Sequence, residues 1–263
     1  GNHFVNVTLK NCYVIGIQED SIKGIFDCGH QMAETYKSGG GVGVDISPLR
    51  PKNSPVKNAA RVSSGAVNFM DFYSNITGMI GQQGRIGALL LSIDVDHPDV
   101  IDFINIKGGD NLDKVRYANV SLKITDKFMQ AVVDDLPHEL KWGGNVYETI
   151  KARDLWQLIM DKAWKRAEPG LLFWDPTLRT YPAAQYAQFV PLCTNPCGEL
   201  ALSHGDSCDL GSINFGKYVR NAWTKDCAFD YKSLCEDVKV AVRFLDNIIS
   251  LEKSPLDFQQ WAN

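Results

Sequence analysis

Residues 86–95, IGALLLSIDV, form a near-continuous apolar run. A strand with one face in water alternates apolar and polar residues. A run of this kind fits a strand covered on both faces, as in a parallel sheet flanked by helices. The rest of the chain agrees. Strand patterns at 6–17, 119–124, 170–174 and 208–215 alternate with helical ones. The first helix begins at Ser21 as cap and ends at Gly39 to Gly41; others cover 67–80, 96–107 with Pro98 in a first-turn position, 125–136 capped by Thr125, and 152–167, ended by Pro169 and Gly170. In 232–252, Leu234, Val238, Ala241, Leu245 and Ile248 follow three- and four-residue steps. The pattern predicts an α/β fold with a mainly parallel sheet, whose functional residues lie on loops at the carboxyl ends of strands.

The 263 residues suffice for one large domain or two small ones. The net charge of −4 offers no basic footprint for nucleic acid and no attraction to an anionic membrane. No apolar run approaches the roughly 20 residues that span a bilayer, and GNHFVNVTLK is not a signal peptide. Cys12, Cys28, Cys193, Cys197, Cys208, Cys227 and Cys235 are therefore expected as free thiols in a reducing, cytoplasmic compartment, where a disulfide belongs to catalysis and not to a structural framework.

CTNPCGEL, residues 193–200, admits three readings. As a zinc site, C-x3-C needs a second close pair; Cys227 and Cys235 are far apart, and His204 leaves a fourth ligand missing. As packing, both cysteines are small buried residues. As chemistry, Pro196 and Gly198 shape a loop around Cys197, with Asn195 and Glu199 two residues to either side. In an extended loop all three share one face, giving a thiol, an orienting amide and a base. Cys12 and Cys208 lie in strand-like segments and read as packing unless geometry links them to Cys197. KSGGGVGVD has neither phosphate-loop spacing and reads as a helix end with a close backbone approach. Gln82, Gln83 and Arg85 read as an exposed turn or a ligand-reading loop; Arg50 and Lys57 read as surface cations or an anion clamp.

TNPCGE, SCDLGSIN, NCYVI followed by EDS, SGGGVGVD, GRIGALLLSIDVDHPDV and AEPGLLFWD occur together and in order. This set, spanning essentially the whole chain, resembles the catalytic subunit of ribonucleotide reductases. The resemblance implies a ten-stranded α/β barrel of two parallel half-barrels with a central finger loop: about 1–190 as the first half, 191–200 as the finger and 201–263 as the start of the second half. It implies that Cys197 is a thiyl-radical cysteine, that Glu199 takes the 3′-hydroxyl proton, that Asn195 binds ribose hydroxyls, and that Cys12 and Cys208 are the reducing pair. Asn11, Cys12, Gly40 and Gly41 match substrate contacts. Asp20, Ser21 and Ile22 match an effector site for deoxynucleoside triphosphates or ATP, with Arg50 and Lys57 as its phosphate cations; Lys57 stands where many relatives carry Arg. Residues 82–88 match the specificity loop.

DHPDV, CDLGSIN and the Cys197–Cys208 spacing look most like the adenosylcobalamin-dependent type; the alternative takes its radical from a separate metal-containing subunit. A thioredoxin- or glutaredoxin-type reductant and a homodimer are implied for the full subunit. The threonine- and serine-rich phosphate loop, the carboxy-terminal cysteine pair and the amino-terminal cone of the family are not found. The expectation is a fragment, or one piece of a split subunit, that does not reduce nucleotides alone. Measured turnover by the isolated chain, with reductant and cobalamin, defeats that expectation. The competing readings are a nucleotide-binding regulatory piece without activity and a zinc-bound structural protein.

Overall fold

The structure is a computed structural model that describes residues 7–82, 85–108 and 114–262. In chain order the elements are β1 (Cys12–Val14), α1 (Ile22–Lys37), β2 (Gly41–Asp45), α2 (Met70–Met79), β3 (Gly81–Gln82), β4 (Arg85–Ile86), β5 (Leu89–Asp94), α3 (Val100–Asn105), β6 (Asn119–Ile124), α4 (Asp126–Asp134), β7 (Pro137–Trp142), β8 (Asn145–Lys151), α5 (Ala152–Arg166), β9 (Gly170–Phe173) and α6 (Trp174–Thr180). Then follow β10 (Cys193–Thr194), β11 (Ala201–Leu202), β12 (Ser207–Cys208), β13 (Val219–Arg220), β14 (Ala228–Phe229), α7 (Tyr231–Leu251) and α8 (Asp257–Ala262).

One six-stranded sheet runs in the order β12-β1-β2-β5-β6-β9. All neighbours are parallel except β12, which pairs antiparallel with β1. The strands are two-faced. Val42, Val44, Leu89, Leu91, Ile93, Val120, Leu122 and Ile124 turn to the main core with the helices. The opposite face carries Gly41, Gly43 and Asp45 on β2, Leu90, Ser92 and Asp94 on β5, and Asn119, Ser121 and Lys123 on β6, the alternation that strand geometry requires. Within the apolar run of 86–95, β5 is thus covered on both faces as expected, whereas Ile86 and Ala88 before it are exposed; only one cover is a helical layer.

The other cover is the hairpin of β10 and β11, where Cys193 pairs with Leu202 and Thr194 with Ala201. It packs Cys193, Leu192 and Leu202 on Val14 and Leu90 in a small second core. Four successive strand segments approach it. Leu192 faces Gly16 beyond β1, Thr194 faces Gly43 of β2, the Cys193 thiol lies 3.3 Å from the Ser92 hydroxyl of β5, and Asn119 of β6 donates to the Pro196 carbonyl at 3.1 Å. One hairpin touching four neighbouring strands means that the sheet curls around it as a half-barrel.

The helix caps follow the sequence. The Ser21 side chain accepts from Gly24 N–H, and that of Thr125 from Phe128 N–H. Several expectations need correcting. The helix after β5 begins at Val100, so Pro98 precedes its first turn. Of 208–215 only Cys208 is in a strand, because Gly211 and the turn that follows leave the sheet edge; of 6–17 only Cys12–Val14 pairs as strand among the described residues. The β7–β8 hairpin and α6 escaped the periodicity reading because β8 is exposed along nearly its whole length and α6 is a short helix with no buried residue. Among the described residues no helix is long and apolar enough to cross a membrane.

A Cβ on Gly43 would lie 1.8 Å from the Thr194 carbonyl oxygen. Gly43→Ala is therefore expected to push the hairpin off the sheet and to lower unfolding stability by at least about 2 kcal/mol. Urea denaturation checks this; an unchanged midpoint contradicts the close approach.

Candidate active site

The hairpin ends in a tight turn. Gly198 N–H donates to the Asn195 carbonyl at 3.0 Å, and Gly198 adopts φ +86°. The stretch is not extended, so the alternation argument for Asn195, Cys197 and Glu199 does not describe it. Asn195 is fully buried, and its Oδ1 accepts from Leu200 N–H at 3.0 Å. Its buried Nδ2 makes no hydrogen bond of ordinary geometry among the described residues and lies toward the Cys12 thiol. Cys197 and Glu199 are exposed beyond the turn.

Cys12 and Cys208 are directly opposed across the β1–β12 pair. Both are buried and free. The thiols interact: a hydrogen bond from Cys208 holds the Cys12 thiol below its ordinary pKa, against burial, with further help from Asn195 and opposition from Glu199. Cys208 is pushed up by the same pairing and by burial. The first proton of the pair thus leaves easily and the second with difficulty. Cys197 is raised by partial desolvation and by the charges of Glu199 and Cys12. Five residues scattered through the sequence therefore act on one another: Cys12, Cys208, Asn195, Cys197 and Glu199. Packing alone does not describe Cys12 and Cys208.

The surrounding backbone makes room for something more. Asn11 N–H donates to Cys208 O, its side chain accepts from Leu210 N–H, and its carbonyl accepts from Gly41 N–H, each at 2.9 Å. Gly41 lets Pro196 approach: a Cβ there would lie 2.9 Å from the Pro196 ring. Gly40 is buried against Tyr13 and Thr35. Cys12, Gly41 and Asn119 are the first residues of their strands. The cluster thus lies at the amino ends of the parallel strands and not at the carboxyl ends, because the hairpin enters from the carboxyl ends and runs the length of the sheet before turning. Cys193 stands apart from Cys197, buried at the hairpin's root with its thiol pushed up to about 12 by burial. Among the described residues no group of three or more His, Cys, Asp or Glu is arranged to hold a metal.

Two contributors were not singled out in the sequence. Asn119 tethers the tip. At the root, the buried Lys123 ammonium contacts Asp45 at 2.8 Å and Asp94 at 2.9 Å and reaches the Leu192 carbonyl at 3.5 Å. Burial opposes its charge, but the two carboxylates outweigh that and raise its pKa. The available signal was the polar residue at every second position of strands that otherwise read as apolar.

Asp20, Ser21, Ile22, Arg50 and Lys57 line a second site, a cleft of about 750 Å³. It lies after the carboxyl ends of β1 and β2, at the start of α1. Arg50 is engaged: Nε donates to Asp20 Oδ2 at 2.7 Å, Nη2 to Asp20 O at 3.1 Å and Nη1 to Pro55 O at 3.3 Å. Lys57 is exposed and has no ion-pair partner among the described residues. Gln82 and Arg85 face each other in the β3–β4 pairing, whose chain leads through Ala88 to β5 beside Gly41; Gln83 lies outside the described residues.

The family model described as "Ribonucleotide reductase, barrel domain" matches residues 10–263. The chain belongs to that family. The ribonucleotide reductase relatives include the vitamin B12-dependent ribonucleoside-diphosphate reductase of Thermoplasma acidophilum, 38% identical over 252 residues, covering 95% of this chain and 32% of the relative. The vitamin B12-dependent enzyme of Mycobacterium tuberculosis is 35% identical over 250 residues, 94% of this chain and 35% of the relative. The ribonucleoside-diphosphate reductase large subunit of Monkeypox virus is 27% identical over 283 residues, 97% of this chain and 36% of the relative. The chain spans about a third of the length of these curated relatives.

Glu199→Gln removes a like charge beside Cys197 and should lower the pH midpoint of Cys197 alkylation. Cys208→Ala removes the hydrogen bond that favours the Cys12 thiolate and should raise the midpoint for Cys12. Iodoacetamide labelling rates across pH, read by peptide mass spectrometry, check both; unchanged midpoints mean that these groups do not share a site.

Proposed function

We propose that this chain carries the thiol chemistry of a ribonucleotide reductase, converting ribonucleotides to 2′-deoxyribonucleotides. The observation that carries the reading is the convergence of Cys12, Cys208, Cys197, Asn195 and Glu199 around the hairpin tip, with a buried amide donor that makes no hydrogen bond of ordinary geometry. A buried donor without a partner costs about 1–3 kcal/mol. A ribose hydroxyl accepting from Asn195 Nδ2 would recover it.

In this reading Cys197, as a thiyl radical, takes the 3′ hydrogen atom of the ribose. Glu199 accepts the 3′-hydroxyl proton. The 2′-hydroxyl leaves as water with a proton from one thiol of the Cys12–Cys208 pair. The other thiol delivers its hydrogen atom to the 2′ carbon as the pair closes to a disulfide radical anion; the remaining electron and the proton held by Glu199 return to the 3′ oxygen, and Cys197 gives the hydrogen atom back to the 3′ carbon. The lowered first and raised second ionisation of the dithiol suit this use: the first proton is given up readily to the leaving water, while the neighbouring thiol keeps its hydrogen for the 2′ carbon. A thioredoxin- or glutaredoxin-type dithiol then reopens the disulfide. Asn11, Gly40 and Gly41, whose backbones line the pair, would hold the substrate.

Cys197 is exposed at the tip, so a radical generator can reach its sulfur from outside the described residues. Adenosylcobalamin is proposed as that generator, on the names of the relatives from Thermoplasma acidophilum and Mycobacterium tuberculosis. It would supply the oxidising equivalent that forms the Cys197 radical. A separate metal-containing subunit is the second reading, favoured by the likeness to the viral large subunit. The cleft at Asp20, Ser21, Ile22, Arg50 and Lys57 is proposed to bind a deoxynucleoside triphosphate or ATP, with Lys57 as the free cation and Arg50 as support for the Asp20 carboxylate. Residues 82–88 would pass its occupancy to substrate choice in a homodimer of complete subunits.

The test uses the full-length protein that contains this chain. Cys197→Ala should abolish deoxynucleotide formation. Glu199→Gln should lower kcat by about 10²–10⁴-fold. Cys208→Ser should prevent multiple turnover with a dithiol reductant. Turnover by Cys197→Ala sinks the mechanism; retained nucleotide binding with no turnover in the unaltered protein favours a regulatory piece.

A further inference from the structure

His97 and Asp99, between β5 and α3, take no part in the chemistry above. Both are buried, 2% and 6% exposed. The Asp99 carboxylate accepts two backbone amides from a distant segment: Lys52 N–H at 3.0 Å to Oδ1 and 3.3 Å to Oδ2, and Ala66 N–H at 2.8 Å to Oδ2. His97 Nδ1 accepts Asp99 N–H at 3.0 Å, so its Nε2 is the donor to the Leu49 carbonyl, 2.9 Å away. Gly65, at φ +94°, closes onto the same carboxylate: a Cβ there would lie 2.6 Å from Asp99 Oδ2.

These bonds grip residues 49, 52 and 66, with Gly65 packed close beside them, at the two roots of a flap. Between the roots the flap is tied to itself by Asn53 N–H to Ser63 O at 2.9 Å, Ser63 N–H to Ser54 O at 2.8 Å and Val56 N–H to Arg61 O at 2.8 Å. It is a folded body held mainly at its ends. Its other side-chain ties among the described residues include Arg50 to Asp20, an Arg50–Pro55 contact within it, Asn68 Nδ2 donating to the Ser64 hydroxyl at 3.1 Å, Gly65 N–H donating to the Ser63 hydroxyl at 3.0 Å, a 3.4 Å hydroxyl contact from Ser54 to Tyr147, and an exposed Lys52–Asp102 pair at 3.8 Å. The flap supplies Arg50, Val56, Lys57, Ser63 and Ser64 to the cleft wall.

We infer that His97 and Asp99 are positioning residues of the nucleotide cleft: by fixing both roots of the 50–66 flap they set where Lys57 and the Ser63 and Ser64 hydroxyls meet the phosphates of a nucleoside triphosphate. The inference rests on the reading of this cleft as a nucleotide site. A carboxylate suits the task because it binds two amides from different chain segments with charge-assisted bonds, while the imidazole fixes a third point with its second nitrogen. Displacing the roots moves the phosphate-facing groups and leaves the base-facing wall at Ile22 and Ile25 in place.

The test compares dATP and dTTP with deoxyadenosine and thymidine by calorimetry on the full-length protein that contains this chain, alongside amide hydrogen exchange. Asp99→Ala should weaken triphosphate binding by about tenfold or more while nucleoside binding changes less than about twofold. Lys52 and Ala66 amides should exchange faster, with β5 and β6 still protected. Asp99→Asn, which keeps one acceptor oxygen, should fall between, and it decides the matter if the alanine variant does not fold. Triphosphate affinity within about twofold of the unaltered protein overturns the inference. So does equal loss of triphosphate and nucleoside with protection lost throughout, which marks a merely structural role. If the unaltered protein binds no nucleotide, the cleft reading itself fails, a result distinct from either.

Discussion

No side chain fits between Gly43 and the carbonyl of Thr194. That backbone-to-backbone approach lets the β10–β11 hairpin lie along the concave face of the sheet, and the height of Cys197 follows from it. The hairpin's root is held by charge: Lys123 is buried between Asp45 and Asp94, with Ser92 linking Asp45 to the Cys193 thiol. Removing one partner from such a buried set typically costs about 3–5 kcal/mol. The tip is held more lightly, by the Asn119 bond and the Gly41–Pro196 contact. A stiff root and a lightly held tip keep the Cys197 thiol in place while leaving it exposed.

The two sites lie at opposite ends of the same elements. α1 has 16 residues, a length of about 24 Å. It starts at the cleft with Ser21 and ends at Gly39 and Gly40, beside the dithiol strand. β5 begins next to Gly41 and Pro196 and ends before His97 and Asp99. Cys12 and Cys208 are buried in mutual contact at one end, and the cleft at the other carries the exposed Lys57 on its wall. One parallel sheet and one core carry both.

Much of the architecture was legible. The run at 86–95 required cover on both faces, and the caps at Ser21 and Thr125 were correctly located; the stripe from Leu234 to Ile248 lies on α7, but no residue of that helix is buried among the described residues and Val238 is exposed. The identity of the covering layer was not legible, because an apolar run records that water is excluded and not by what. The alternation hidden within it, with Leu90, Ser92 and Asp94 on one side and Leu89, Leu91 and Ile93 on the other, acquires meaning only once the hairpin occupies the concave face. The candidate site divided in the same way. Asn195, Cys197 and Glu199 could be grouped by proximity in the chain, although through a turn and not the extended geometry that the spacing suggested. Cys12 and Cys208 look like packing until strand register opposes them.

By itself the sequence determined the α/β class, the helix limits set by caps and glycines, and the set of reactive residue types, since these depend on local propensity and on period. The tertiary structure alone decided which cysteines meet, that Arg50 is committed to Asp20 while Lys57 stays free, and that the chemistry gathers at the amino ends of the strands. Those outcomes depend on contacts between residues up to about two hundred positions apart, such as Asn11 with Leu210. Their register is set by sheet pairing and by the room that a missing Cβ leaves, neither of which a local pattern encodes.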